Sequence, residues 1–259
     1  MPTLWPSVKM YRLLICCLAW AIIGNIYITG QIMSDTPLDR TSQVLNTLMS
    51  LYDKRIRPHT NGSATEVTCN MYIISLDSVK EATMEYGMTI LFTQKWVDSR
   101  LAFNVSILNG IDKITIAHDV CWVPDLYFTN VKEGSFHQVT VENRFIETNH
   151  LGHVTLSMKL TLILSCYMDF RRFPMDQQEC GMDIESYQYG SDNLVVKWRD
   201  ENPIRKKPDV RLPQFSISPM ITRNCSHDMY ETDPWSSIPA FGRNRGYFYR
   251  EETRYKEPV

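Results

Sequence analysis

Seven cysteines are the residues of this sequence with the most distinctive chemistry. Two of them, Cys16 and Cys17, lie in an apolar segment near the start of the chain. The other five are Cys69, Cys121, Cys166, Cys180 and Cys225. Thirteen residues separate Cys166 from Cys180, and they include Phe173-Pro174, which predicts a rigid turn. A disulfide that closes a loop of this length stabilises a protein by about 3 kcal/mol in the chain-entropy model.

The remaining cysteines leave alternatives open. An oxidising compartment would let them pair, and an odd number of cysteines leaves one without a partner. Cys69 and Cys121 are predicted either to form a second disulfide or to be separate buried thiols. Three Asn-x-Ser sequences, at Asn61, Asn104 and Asn224, are candidate glycosylation sites.

The N-terminus predicts a secretory signal peptide within residues 1–30. Lys9 and Arg12 precede an apolar run over residues 13–23, and this order of charge and hydrophobicity is typical of signal peptides. The alternative is an uncleaved membrane anchor, although a spanning helix needs about 20 apolar residues. No later stretch predicts a membrane span, so the sequence as written is not expected to form a pore.

Composition and motifs exclude several classes of protein. The net charge of -2 argues against a nucleic-acid partner, because nucleic-acid-binding surfaces show a basic excess. No nucleophile elbow, phosphate-binding loop or zinc-protease motif occurs, so we predict no enzymatic activity. His150 and His153 lack an accompanying set of ligands, and we predict neither a metal site nor a cofactor.

Hydrophobic periodicity predicts one helix followed by strands. Residues 38–52 repeat apolar side chains at helical spacing after Pro37, a residue favoured at helix starts. Residues 84–96 and 154–164 alternate apolar and polar side chains, which predicts two long strands with one buried face. The pattern indicates an all-β, immunoglobulin-like sandwich preceded by one N-terminal helix.

Weaker signals fill in the rest of the sandwich. Shorter strands are predicted at residues 67–76, 139–146, 194–198 and 212–217. Lys132-Glu133-Gly134 is one of the predicted turns. The tail from residue 219 shows no alternation strong enough for a strand, apart from a weak signal at residues 246–249.

Several short motifs follow one another in a fixed order. They are Met84-Glu85-Tyr86, Trp96-Val97-Asp98-Ser99-Arg100-Leu101, Trp122-Val123-Pro124-Asp125-Leu126-Tyr127-Phe128, the Cys166 to Cys180 loop, Glu185-Ser186-Tyr187 and Leu212-Pro213-Gln214-Phe215. With these motifs the sequence, over about residues 38–218, resembles the extracellular ligand-binding domain of pentameric Cys-loop neurotransmitter-gated ion channels. Within that family it resembles the GABA, glycine and glutamate receptor branch. The resemblance implies a disulfide between Cys166 and Cys180 and a ring of five subunits.

The resemblance also implies a transmitter site between neighbouring subunits. The principal face would consist of Tyr127, Glu185, Ser186, Tyr187 and Tyr189. The complementary face would consist of Leu91, Thr93, Thr155 and Ser157. The alternation agrees with this assignment, because these four residues fall on the strand faces opposite the predicted core.

The principal set has the chemistry of a cation site. Two tyrosine rings could form an aromatic box, and Glu185 could pair with an ammonium group. The alternative is that these residues only pack at the rim of the sandwich. The favoured ligand is GABA or a related amine or amino acid. Many members of the branch carry an aromatic residue at the position of Leu91 and an arginine at that of Thr93. The chain is therefore expected to be the principal partner in a hetero-oligomer, or to bind an amine without a carboxylate.

Three segments result from this interpretation. They are a signal peptide (1–30), a ligand-binding domain (31–218) and a tail (219–259) that replaces the third binding loop and the last strand. The predicted function is transmitter binding by a subunit of a ligand-gated channel, by resemblance a chloride channel of the postsynaptic membrane. The alternative is a secreted module that sequesters transmitter or channel subunits.

Overall fold

The structure, a computed structural model, describes residues 37–59, 62–108, 110–173, 176–212, 217, 220–226 and 242–246. The predicted signal peptide and the sequon at Asn61 lie outside these ranges. Backbone contacts divide the chain into residues 1–42 and residues 43–259, and every described strand belongs to the second unit. Among the described residues, no helix is both long enough and apolar enough to cross a membrane.

One α-helix, two short 3₁₀ helices (Ser99–Leu101 and Val105–Leu108) and twelve strands make up the described secondary structure. The helix, α1, runs over Pro37–Ser50, close to the predicted residues 38–52. The strands are β1 (Thr65–Lys80), β2 (Glu85–Val97), β3 (Lys113–Ile116), β4 (Leu126–Phe128), β5 (Val131–Phe136), β6 (Arg144–Asn149), β7 (His153–Ser165), β8 (Ile184–Ser186), β9 (Leu194–Trp198), β10 (Ile204–Lys206), β11 (Thr222–Ser226) and β12 (Gly242–Gly246). The predicted all-β sandwich class with one N-terminal helix is confirmed.

Three long strands form the centre of an eight-stranded sheet. β2 pairs with β1 on one side and with β7 on the other, and both pairings are antiparallel. The free edge of β1 is shared by β9 and β10, which pair with it in parallel. The other edge of β7 is shared by β5 and β6, which pair with it antiparallel, and β3 pairs antiparallel with β6. Two further pairs, β4 with β8 and β11 with β12, form separate small sheets.

The long strands have the alternating burial that their sequences predict. On β2 the side chains of Tyr86, Met88, Ile90, Phe92 and Trp96 are buried, and the residues between them are wholly or partly exposed apart from Gly87 and Gln94. On β7 the same pattern places Val154, Leu156, Leu160, Leu162 and Leu164 in the core. Because each strand buries one face, a shift of one residue in register would move this whole apolar set into water.

The strand predicted at residues 194–198 is observed as β9, but two other short elements differ from the predictions. Lys132-Glu133-Gly134 is not a turn but part of β5, whose six residues are all exposed. The predicted strand over residues 139–146 is observed as β6, Arg144–Asn149. β5 escaped prediction because it has no buried side and carries a register shift between Val131 and Glu133. Only its backbone pairing to β7 defines it as a strand. Hydrophobic periodicity cannot detect such a strand.

The tail contains an antiparallel pair of strands that the sequence analysis did not predict. Thr222 of β11 lies opposite Gly246 of β12, and Ser226 lies opposite Gly242. Neither strand alternates apolar and polar residues, so this pairing was invisible to pattern analysis. Of the predicted strand at residues 212–217, the structure describes Leu212 and Ile217.

The cysteines resolve the alternatives that the sequence left open. Cys166 and Cys180 form a disulfide with a Cα–Cα distance of 5.1 Å, within the usual range for a cross-link. Cys69 and Cys121 are separate buried thiols, so the second disulfide is not formed. Burial raises the pKa of Cys121 to about 11 and raises that of Cys69 further. Both thiols are therefore protonated and unreactive at neutral pH.

A buried carboxylate organises the end of β2. Asp98, just after the strand, is fully buried and accepts hydrogen bonds from the guanidinium of Arg100 over 2.8 and 2.7 Å. The Tyr52 hydroxyl donates to the same carboxylate over 2.8 Å and accepts from the backbone amide of Trp122 over 3.0 Å. Burial is the main cause that raises the pKa of Tyr52 far above its ordinary value. Gly152 packs closely against the backbone of Asp98. A Cβ at position 152 would lie 2.4 Å from the carbonyl oxygen of Asp98, so this approach requires glycine.

Candidate functional site

The small sheet of β4 and β8 brings two predicted site residues together. Its antiparallel register puts Tyr127 directly opposite Glu185. The Tyr127 hydroxyl donates to Oε2 of Glu185 over 3.3 Å. Glu185 is 8% exposed, whereas Tyr127 is 39% exposed. The carboxylate is therefore shielded from water, and the tyrosine ring next to it reaches the surface.

Tyr187 adds a second ring to this group. Its ring centroid lies 5.7 Å from that of Tyr127, and the two planes meet at 81°, an edge-to-face arrangement. Tyr187 is 82% exposed, so its ring is accessible to a ligand. Two aromatic rings beside a shielded carboxylate are the groups that bind an ammonium ion, because ring faces and carboxylate both present negative charge.

Asp125 fixes the loop that carries Tyr187, and the sequence analysis did not single it out. Its carboxylate accepts the Ser186 hydroxyl over 2.6 Å and the backbone amide of Gln188 over 2.5 Å. Its backbone carbonyl accepts the amide of Tyr187 over 3.2 Å. An aspartate just before a short strand is a common acceptor for loop amides, and this is the signal that could have identified it.

Ser186 and Tyr189, the other two predicted principal-face residues, support the site from the protein side. Ser186 is buried, and its hydroxyl also accepts the amide of Tyr189 over 3.0 Å. The Tyr189 ring packs against the core, with its centroid 6.3 Å from that of Trp122. The structure thus groups Tyr127, Glu185 and Tyr187 and places these two residues beneath them as positioning residues.

The predicted complementary residues form one patch on the sheet face that points away from the core. Thr93 of β2 lies opposite Ser157 of β7, and the Thr93 hydroxyl donates to Oγ of Ser157 over 3.4 Å. Leu91 and Thr155 lie two residues away along their own strands, and all four side chains are at least partly exposed. Their hydroxyl and aliphatic groups offer hydrogen bonds and apolar contact but no positive charge.

Three residues beside this patch were missed. In the register of β2 and β7, Lys159 lies opposite Leu91 and Lys95 lies opposite Thr155. Phe145 lies opposite Ser157 in the register of β6 and β7 and is 49% exposed. All three share the outward face of the patch, and correct boundaries for β6 would have placed Phe145 there. The patch therefore has an aromatic ring and two ammonium groups at its borders.

The family of the domain follows from comparison with known proteins. The family of neurotransmitter-gated ion-channel ligand-binding domains matches residues 41–238. The chain belongs to this family. It is similar to the human glycine receptor subunit beta, with 39% identity over 188 residues, which make up 71% of the chain and 37% of the relative. The chain thus spans little more than a third of the length of this curated relative.

Membership assigns the general role of the domain. It is a neurotransmitter-binding domain of the ligand-gated ion-channel family, whose members bind small-molecule transmitters and assemble as pentamers. The family consists of receptors and not of enzymes. The match continues beyond residue 218, where the motifs found in the sequence end. The three candidate glycosylation sites stay predictions; Asn104, on an exposed turn, is the one whose side chain the structure describes.

Proposed function

We propose that this chain supplies the principal face of a transmitter site between two channel subunits, and that the face binds the ammonium group of an amine or amino acid such as GABA. The observation that carries the proposal is the contact between Tyr127 and Glu185, with the ring of Tyr187 against that of Tyr127. A charged hydrogen bond gains strength where water is excluded, and Glu185 is such a shielded acid.

The complementary patch supports a hetero-oligomer. Bidentate binding of a ligand carboxylate requires an arginine, and Thr93 has only a hydroxyl group, which is already bonded to Ser157. An amino acid bound at the principal face of this chain would then find its carboxylate partner on a different subunit. The site would face the outside of the plasma membrane, and the parent channel would conduct chloride, as in the branch that the motifs resemble.

A set of three matched ligands tests which charge the chain recognises. The full chain is titrated with GABA, with n-butylamine, which keeps the ammonium group, and with butyrate, which keeps the carboxylate. Binding is followed by ligand-observed NMR. We expect GABA and butylamine to bind with similar affinity and butyrate to bind at least tenfold more weakly. Equal binding of butyrate and GABA would contradict the assignment of an ammonium site.

A pair of variants tests whether amine binding depends on Glu185. Glu185→Gln removes the charge with little change in shape, and we expect it to weaken butylamine binding at least tenfold. Glu133→Gln is the matched control, because Glu133 is an exposed acid on β5. This control removes the same unit of charge and should leave butylamine binding within twofold of the unmodified chain. Equal losses in the two variants would mean that the overall charge of the protein, and not a site, attracts the amine.

A further inference from the structure

A cavity of about 630 Å³ lies between β4 and the core face of the large sheet. Its walls are mainly apolar and include Phe92, Leu156, Met158, Leu160 and Leu162. A cavity of this volume is within the range of small-molecule sites, and a mostly apolar lining with few polar groups is typical of them. We propose that this cavity is a second binding site, for a small uncharged molecule that is mostly apolar and carries one O–H or N–H donor.

The amide of Gln94 is the polar group that specifies the donor. Gln94 occupies the buried face of β2, in the alternating series in which its neighbours Phe92 and Trp96 are apolar core residues. Only 3% of Gln94 is exposed, and it lines the cavity. Within the described part of the chain, its side-chain oxygen Oε1 has no hydrogen-bond partner. A buried acceptor without a donor is destabilising, and a ligand donor at Oε1 would remove that cost.

The charges at the rim indicate that the ligand is neutral. His118 and Arg144 both line the cavity, and both lie within ion-pair distance of Glu142. The separation is 2.7 Å from Nε of Arg144 to Oε1 of Glu142, and 3.4 Å from Nε2 of His118 to Oε2. The carboxylate of Glu142 offsets the guanidinium charge of Arg144, so a charged ligand would gain little at this rim and would lose its hydration.

The more exposed lining residues mark where a ligand would enter. Phe136 on β5 is 53% exposed and Tyr127 on β4 is 39% exposed, whereas Phe92 and Leu156 at the inner wall are buried. The cavity thus runs from an aromatic opening to a closed apolar end next to Gln94. The inference stands on the cavity and on Gln94, and it does not depend on the proposed amine site.

Two probes that differ only in the donor test the proposal. The full chain is titrated with 4-fluorophenol and with 4-fluoroanisole, in which a methyl group replaces the phenolic proton. Binding is followed by ¹⁹F NMR. We expect the phenol to bind at least tenfold more tightly than the anisole. We expect Gln94→Leu, which removes Oε1 and nearly keeps the side-chain volume, to reduce phenol affinity to that of the anisole. Gln138→Leu, at an exposed position, is the matched control and should change neither affinity.

Two further measurements keep the test decisive. Gln94→Leu removes a buried group without a partner, so the unliganded variant should unfold at the same or a higher temperature than the unmodified chain. Met158→Trp fills the cavity and should abolish binding of both probes. Three results would each overturn the proposal. The first is equal affinity for the phenol and the anisole, the second is undiminished phenol binding by Gln94→Leu, and the third is unchanged binding by Met158→Trp. Absence of binding by either probe at millimolar concentration would overturn it as well.

Discussion

Replacing Arg100 with methionine is expected to reduce the free energy of unfolding by about 3 kcal/mol. The substitution keeps an unbranched apolar stem and removes the guanidinium that bonds both oxygens of Asp98. Asp98 is fully buried and would keep the hydroxyl of Tyr52 and its own backbone contacts. A buried charge that loses its counter-charge is strongly destabilising. Urea unfolding followed by tryptophan fluorescence measures the change.

The chain contains a matched control for this prediction. Asp53 and Arg55 have the same two-residue spacing and the same 2.7 Å closest distance as Asp98 and Arg100, but the Arg55 side chain is 84% exposed. Arg55→Met is therefore expected to change the free energy of unfolding far less than Arg100→Met does, because water screens an exposed ion pair. Equal effects of the two methionine variants would show that burial of Asp98 is not the cause. The double variant Asp98→Asn with Arg100→Met should recover part of the loss, because it removes the buried charge.

Removing the disulfide is expected to reduce stability by a similar amount. Cys166 and Cys180 close a loop with a sequence separation of 14, for which the chain-entropy model gives about 3 kcal/mol. The double variant Cys166→Ser with Cys180→Ser should therefore unfold at a distinctly lower urea concentration than the unmodified chain. The loop that this variant opens also contains the buried residue Gln178. Its side-chain oxygen accepts the backbone amide of Asp169, and its side-chain nitrogen donates to the backbone carbonyl of the same residue.

A buried free thiol gives the comparison for that variant. Cys121→Ala removes a sulfur atom from the core without opening a covalent loop, and we expect a loss of about 1 kcal/mol. A disulfide variant no less stable than Cys121→Ala would contradict the structural role of the cross-link. Non-reducing peptide mapping of the unmodified chain should at the same time find Cys166 linked to Cys180.

The long elements of this fold could be predicted because their side chains record which face is buried. β2 and β7 lie in the middle of the large sheet, and each is a 13-residue strand that buries mainly one face. β5, β11 and β12 are defined by backbone pairing to a neighbour, which leaves little trace in side-chain type. The sequence analysis did not single out Gln94, and only the structure shows that this polar residue occupies a core position of β2 beside the cavity.

The residues of the candidate site could be predicted from the sequence, but their arrangement could not. The motifs indicated Tyr127, Glu185 and Tyr187, yet residues 58 positions apart can be joined only by the register of β4 and β8. In the same register the side chain of Ser186 points inward and donates to the carboxylate of Asp125, which orders the loop that carries Tyr187. Side-chain direction within three-residue strands depends on pairing partners, and the sequence does not specify these locally.

Agonist potency in an assembled channel tests the central claim most directly. The domain is studied in a full-length subunit, and concentration–response curves for GABA are recorded by voltage clamp. The account predicts that Tyr187→Ala and Glu185→Gln each raise the half-maximal concentration at least tenfold, about 1.4 kcal/mol, and that Thr93→Ala changes it by less than threefold. A loss of potency confined to Thr93→Ala, with Tyr187→Ala indistinguishable from the unmodified subunit, would contradict the principal-face assignment.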